Sequence, residues 1–211
     1  MSELSFLIPT MSKGLYGLNK ILPCKKKRIL IHSLVFSPDG VSTAYLYNDI
    51  AIGFKENGYD VVVLTTTPHY NRVLDDLKNQ PLSKCWGGIF YKSDFKGIPV
   101  YHVPQKKFKS FAARVAGFIY WHIITLFLGI SLNNISLILS PSPPLTIGLF
   151  SIILARIKGA KVIYNVQEIY PDLLINQGNL NSIILLNLQN VLSQIVEQLR
   201  KKHLYFLFLL L

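Results

Sequence analysis

Apolar residues along this chain fall into short unalternating runs, separated by a helical repeat or by polar, turn-rich segments. The runs are Ile29 to Phe36, Val61-Val62-Val63-Leu64 within 60–65, Ile98 to Val103, Ile135 to Leu139 and Lys161 to Val166. A β-branched run without alternation suits a strand covered on both faces, as in a parallel sheet. Leu46, Ile50 and Phe54 recur every four residues and predict one apolar helix face. Ser42 or Thr43 can cap that helix, because a short hydroxyl side chain accepts from an unsatisfied N–H of the first turn. Asn57-Gly58 stops it, with Gly58 in the left-handed position past its end. Strand, helix and strand make a βαβ unit. Pro144 can open a second helix at its first position, running to about Lys158 and ended by Gly159. A long helix is expected over 180–202.

The segment 66–97 carries Pro68, Pro81, Trp86, Gly87 and Gly88 and reads as an excursion over the sheet. Pro99 pushes the strand at 98–103 to the sheet edge. Numbered along the chain, the five strands are expected in the order 3-2-1-4-5. The expected fold class is therefore α/β, a Rossmann-like, doubly wound parallel sheet with helices on both faces. Its central buried strands should lie at 61–64, 137–139 and 162–164. The chain divides into a leader without periodicity at 1–27, a domain over 28–195 and an apolar tail at 196–211.

Composition narrows the class. Half of the 211 residues are hydrophobic and 16% are charged, which is globular and far from disordered composition. Lys plus Arg number 22 against 11 Asp plus Glu, a net charge of +11. That excess favours an anionic partner: a membrane face, a nucleic acid or a phosphorylated substrate. No helix-turn-helix or RNP-like pattern accompanies it, so nucleic acid is set aside. Cys24 and Cys85 are far apart and form no C-x-x-C, which reads as a reduced, cytoplasmic chain. Glu3 and Pro9 make the N-terminus a poor signal peptide; Met1 or Met11 can be the start.

Residues 111–132 are almost wholly apolar, with Arg114 and His122 as ionisable exceptions. Three readings stand open. The segment is a core helix; or it lies in a membrane surface, with Lys106, Lys107, Lys109 and Arg114 meeting headgroups while Phe118, Trp121 and Phe127 dip in. The third is a membrane span, which needs about 20 apolar residues.

Candidate chemistry follows the strands. Phe36-Ser37-Pro38-Asp39-Gly40-Val41-Ser42-Thr43, Ser140-Pro141-Ser142-Pro143-Pro144-Leu145-Thr146 and Asn165-Val166-Gln167-Glu168-Ile169-Tyr170-Pro171-Asp172 each trail an apolar run. Open α/β sheets bind ligands outside the carboxyl ends of their strands, where strand order reverses. Gly40 lets backbone approach a ligand, and the N–H groups after it leave a helix N-terminus, an anion-friendly geometry. An ordinary turn uses the same residues. Gln167 donates and accepts, and Glu168 accepts or carries charge, which suits substrate hydroxyls; Glu168 can equally cap a turn. His69 reads as a solvated or packed side chain. No G-x-G-x-x-G, no P-loop, no nucleophile elbow and no metal-ligand spacing is present, so neither a cofactor nor a metal is expected.

Four of these segments together resemble the N-terminal domain of retaining GT-B-fold glycosyltransferases, closest to the family 4 enzymes of bacterial surface polysaccharides. Phe36-Ser37-Pro38-Asp39-Gly40-Val41-Ser42 is similar to the family's entry loop. Asn57-Gly58-Tyr59-Asp60-Val61-Val62-Val63-Leu64-Thr65 is similar to its second strand, Ser140 to Gly148 to its S-x-P-P-L-x-x-G element, and Asn165 to Asp172 to its N-[VI]-Q-[DE]-x-x-P-[DE] element.

The resemblance implies transfer of a sugar from a nucleotide-sugar to a lipid-linked acceptor, without metal. It implies substrate contacts at Asp39, Gly40, Ser42, Ser142, Asn165, Gln167 and Glu168. Many relatives carry His-Asp where this chain has Gln167-Glu168. Gln cannot shuttle a proton, so no catalytic residue is assigned. Such enzymes continue into a second domain that binds most of the donor. The chain is therefore expected to be a truncated, acceptor-side half, inactive alone, at the inner face of the plasma membrane. The alternative is a non-catalytic membrane-docking subunit of a two-chain enzyme with a separately encoded C-terminal half.

Overall fold

The computed structural model describes residues 28–71, 73–106, 110–142, 144–166 and 204–208. The leader at 1–27 and the helix expected over 180–202 lie outside the described residues. Parallel strands β1 (Arg28–His32), β2 (Asp60–Thr66), β5 (Ile98–Val103), β6 (Ile135–Ser142) and β7 (Lys161–Val166) form the centre of the sheet. Their order is β5-β2-β1-β6-β7, as the sequence predicts.

Each central strand packs on both faces, which is why its sequence does not alternate. On β1, Ile29 and Ile31 join one core with Val61, Val63, Leu137 and Leu139. Leu30 joins the opposite core with Val62, Ile138 and Val162. The first core is covered by α1 (Ser42–Glu56), through Tyr47, Ala51 and Phe54. The second is covered by α3 (Phe111–Ser131) and α4 (Leu145–Lys158). The buried face of α1 is thus centred on Tyr47 and Ala51, about one residue round from the predicted row; Leu46 and Ile50 only flank it.

Both glycine stops hold. Gly58 adopts φ 82, its N–H donates to Lys55 O, and the Tyr59 N–H donates to Phe54 O. The Phe54 and Tyr59 rings meet edge to face at 5.9 Å, completing a Schellman motif with its apolar contact. Gly159 ends α4 in the same way, with Ala160 N–H on Ala155 O. Pro144 sits one position earlier than predicted, as N-cap of α4.

The segment 66–97 corrects one expectation. It holds α2 (Leu74–Asn79), β3 (Ser83–Cys85) and β4 (Phe90–Phe95), and the two strands extend the sheet antiparallel beyond β5. Strand β5 is therefore internal, not an edge. Pro99 is tolerated because pairing with β2 begins only at Val100, so its missing N–H breaks no bond on that side. The apolar tail also finds a place: Leu204–Phe208 forms β8, parallel to β7 from Val162↔Leu204 to Val166↔Phe208.

Helix α3 contributes one side to the core. Trp121, His122, Thr125 and Gly129 are buried against the rest of the fold, and Phe118 packs on the same cluster. An added Cβ on Gly129 would run into Leu154 of α4, so that glycine seats helix on helix. Phe118 and Trp121, expected to dip into lipid, thus face inward. Arg114 is exposed, as is Lys106, while Lys107 and Lys109 lie outside the described residues.

Buried polar groups sit beneath this helix. His32 Nδ1 lies 2.9 Å from Ser151 Oγ, which lies 2.5 Å from Ser140 Oγ. The His32 ring stacks on Trp121, and His122 stacks on Phe150 with Nε2 2.9 Å from Thr146 Oγ1. Burial holds His32 neutral, pulling its pKa from 6.5 to about 3, with the His122 charge adding to the effect. Burial likewise lowers His122 to about 4 and His102 to about 4.

Folded-state values below the unfolded one mean that unfolding takes up protons as pH falls below 6.5. Each histidine then costs up to about 1.4 kcal/mol per pH unit until its folded pKa is reached. Melting temperature should therefore be level above pH 7 and fall steadily from pH 6.5 toward 4. A flat profile between pH 7 and 5 would contradict the buried neutral histidines.

Candidate functional site at the sheet's switch point

Strands β1 and β6 lie side by side, yet the chain leaves them in opposite directions. From β1 it passes through α1 to β2 on one side; from β6 it passes through α4 to β7 on the other. Helices α1 and α4 consequently cover opposite faces, and a crevice opens between their N-termini at the carboxyl ends of the strands.

One wall of the crevice is held by Asp39, which is 3% exposed. Its Oδ2 accepts from the backbone N–H groups of His69 and Tyr70, each at 3.0 Å, and its Oδ1 accepts from that of Asn71 at 2.7 Å. The Gly40 N–H donates to Asn71 O, and Asn71 Nδ2 donates back to Gly40 O. The loop after β1 is thereby zipped to the loop after β2. An added Cβ on Gly40 would stand 2.8 Å from Val73 Cγ2, so the neighbouring loop alone requires glycine there. Asp39 and Gly40, expected as ligand contacts, act in this structure as a clamp between loops.

A second set of bonds backs that loop from below. Asn48 Oδ1 accepts from the Ser37 N–H, and the Ser37 hydroxyl donates to Gln80 Oε1 at 2.6 Å. Gln80 Nε2 donates to Ser93 Oγ, and the Ser93 hydroxyl donates to His102 Nε2, both at 2.7 Å. His102 Nδ1–H donates to Thr66 O at 3.0 Å. In this relay from Ser37, the side chains of Gln80, Ser93 and His102 are each bonded at both ends, which is how a buried network is tolerated.

The helix ends are left open. The N-cap of α1 is Val41, whose side chain cannot accept, so neither Ser42 nor Thr43 caps the helix. Ser42 is its exposed first residue. Helix α4 starts after Pro144, again without a side-chain cap. Neither first turn contains an acidic residue. Both helices therefore present partial positive charge and unsatisfied N–H groups to one crevice.

Two buried polar atoms beside it lack partners among the described residues. Ser142 closes β6 and is fully buried, with no bond to its Oγ. Asn165 on β7 donates from Nδ2 to the Tyr47 hydroxyl at 2.9 Å, while its Oδ1 has none. Burial raises the Tyr47 pKa well above the usual phenol range, so Tyr47 stays a neutral hydrogen-bonding group. A free hydroxyl and a free amide oxygen suit the alternating donors and acceptors of a polyol.

Of the sequence-predicted residues, Ser42, Ser142 and Asn165 stand at this edge on three different elements. Gln167 and Glu168 follow β7 directly and lie outside the described residues. Sequence reasoning missed Tyr47, Asn48 and Gln80. Tyr47 stood next to the helical row and differed from it only by rotation; nothing local marks Asn48 or Gln80. His69 is held by its own loop, Nδ1 donating to Thr67 O at 2.9 Å.

Replacing Asp39 by Ala strips three backbone N–H groups of a buried acceptor and should cost about 2–4 kcal/mol of stability. Asp39→Asn, which keeps one acceptor oxygen, should cost less. Urea unfolding of the three proteins measures this, and a loss under about 0.5 kcal/mol for the alanine variant would contradict the clamp.

No family model and no curated protein matches this chain. Among solved structures it is similar to the catalytic domain of starch synthase IV from Arabidopsis thaliana, determined with ADP and acarbose. The TM-score is 0.48 and the identity 12%, over 68% of this chain and 34% of that one. It is also similar to the C-terminal domain of a hydrogenase from Pyrococcus furiosus, with a TM-score of 0.43 and 15% identity over 68% of this chain and 94% of that one. The chain spans about a third of the length of the starch synthase chain. The two neighbours carry different activities, and a shared layout does not transfer either of them.

Proposed function

We propose that this domain serves glycosyl transfer from a nucleotide-sugar to a lipid-linked acceptor in surface-polysaccharide synthesis, and forms the acceptor side of the site. The observation that carries the reading is the meeting of two uncapped, acid-free helix N-termini beside the unpartnered Ser142 Oγ and Asn165 Oδ1. Donor and acceptor of such a reaction both carry phosphate, and helix N-termini bind it. Four sequence segments, at 36–42, 57–65, 140–148 and 165–172, support the same reading through their family resemblance.

In the transfer, the bond from the sugar's anomeric carbon to the diphosphate oxygen breaks, a bond to the acceptor's hydroxyl oxygen forms, and that hydroxyl's proton passes to the departing diphosphate. The N–H groups of α1 and α4 stabilise phosphate negative charge without reorganising. Residues beyond β7, Gln167 and Glu168 among them, would meet the sugar hydroxyls. Work of this kind sits at the cytoplasmic face of the plasma membrane.

A second reading is a non-catalytic subunit that docks a separately encoded catalytic half at the membrane. The exposed apolar side of α3 favours it. Assays with a nucleotide-sugar panel and a prenyl-phosphate acceptor separate the two. The first reading expects acceptor binding but no turnover by this chain alone, which turnover of the lone chain would contradict, and turnover only after a second chain is added supports the second.

Phosphate recognition is tested directly by Ser42→Asp. The new carboxylate would occupy the α1 N-terminus and compete with phosphate, while its charge favours the helix dipole. Calorimetry with nucleoside diphosphates and a short prenyl phosphate should show affinity lowered about tenfold or more, roughly 1.4 kcal/mol, at an unchanged or raised melting temperature. Unchanged affinity in the variant, or no binding of any phosphate ligand by the parent, would contradict the proposal.

A further inference from the structure

Helix α3 is apolar on both sides, but among the described residues only one side is covered. Val115, Ile119, Ile123 and Phe127 recur every four residues on the uncovered side, followed by Ile130; Ile119 is 54% exposed and Phe127 66%. This spacing makes one continuous stripe along the helix. On the adjoining α4, Ile153 and Ile157, one turn apart, are also exposed.

A second element reaches the same surface. The turn between β3 and β4 is Trp86-Gly87-Gly88-Ile89, and Trp86 is 78% exposed at its tip, at φ 45. The Tyr120 hydroxyl of α3 donates to Ile89 O at 3.2 Å, which fixes this tip beside the helix. Trp86, Ile89 and Tyr120 thus extend the stripe sideways. A contiguous apolar area built from two elements marks an interaction site rather than scattered surface residues.

Charge selects the occupant. Between Asp94 and Glu168 the sequence contains no Asp or Glu, while Lys106, Lys107 and Lys109 precede α3, Arg114 lies on α3, and Arg156 and Lys158 lie on α4. Helices α3 and α4 both lie in this stretch. A second copy docking by this face would oppose basic segment to basic segment with no acidic partner in either. An anionic lipid surface supplies the missing sign and accepts the apolar stripe. Exposed Trp and Tyr rings suit the headgroup level.

We propose that α3 and the Trp86–Ile89 turn dock together on an anionic lipid surface, lying in the interface without crossing it. A span is disfavoured because Trp121, His122 and Thr125 are locked against the sheet side of the same helix. The inference goes beyond the transfer reading and does not need it: vesicles alone test it.

The chain has two tryptophans, Trp86 exposed and Trp121 buried, so lipid quenching reports on one of them. Vesicles of phosphatidylcholine, with and without phosphatidylglycerol, are titrated in sedimentation and brominated-lipid quenching. Binding should be about tenfold or more tighter to anionic vesicles and weaken as salt rises. Quenching should largely vanish in Trp86→Phe although the variant still sediments. The double variant Ile119→Asp, Phe127→Asp should lose binding at an unchanged circular dichroism spectrum. No binding, equal binding to neutral vesicles, or quenching that survives Trp86→Phe would overturn the proposal. So would resistance to carbonate extraction, which shows a span, or a dimer abolished by Phe127→Asp, which shows a second copy.

Discussion

Strands β2, β1, β6 and β7 bury side chains on both faces, and most of the remaining structure follows from that constraint. Two faces need two covers, so helix α1 takes one and helices α3 and α4 take the other. Covers on opposite faces force the connections from β1 and β6 apart, and the parting leaves a crevice. The site is a consequence of how the sheet is covered, before any side chain in it is specified.

What then distinguishes this crevice is polarity left unspent. Asp39, Asn71 and Ser37 of the loops after β1 and β2, together with Gln80 after α2, Ser93 of β4 and His102 of β5, are consumed in bonds within the protein. Such groups make a stiff wall, since each is satisfied within the protein. The α1 and α4 termini, Ser142 Oγ and Asn165 Oδ1 are unsatisfied instead. Ser142 Oγ and Asn165 Oδ1 stand on neighbouring strands at this edge, where a ligand's hydroxyls would complete them. The surface of α3 shows the same logic in apolar form: a stripe of exposed aliphatic and aromatic side chains on a helix that carries a basic but no acidic residue.

The sequence made the strand order legible because short β-branched, unalternating runs suit doubly covered strands, and Gly58 and Gly159 end their helices in the left-handed conformation. It misplaced what depends on distant partners. Pro99 looked like an edge signal, yet the register with β2 starts one residue later, and nothing local encodes that. Leu204–Phe208 had no visible partner because β7 lies about 40 residues earlier in the chain. In α3, Trp121 and Phe127 are equally apolar, and only helix phase against the sheet decides which is core. Asp39 was legible as a special residue but not as a clamp, because its three partners are backbone N–H groups that any sequence could supply. Ser142 and Asn165 were legible through their position at strand ends, whereas Tyr47 becomes visible only when α1 is docked.

The central claim is that phosphate binds at the switch point, between the N-termini of α1 and α4. Amide chemical-shift mapping during titration with a nucleoside diphosphate tests it most directly. The account predicts that the largest shifts fall on the backbone N–H groups of Ser42, Thr43, Ala44, Leu145 and Thr146, with smaller ones at Ser142 and Asn165. Shifts confined to the basic surface around Lys106, Arg114 and Lys158, with the two helix N-termini unmoved, would contradict it.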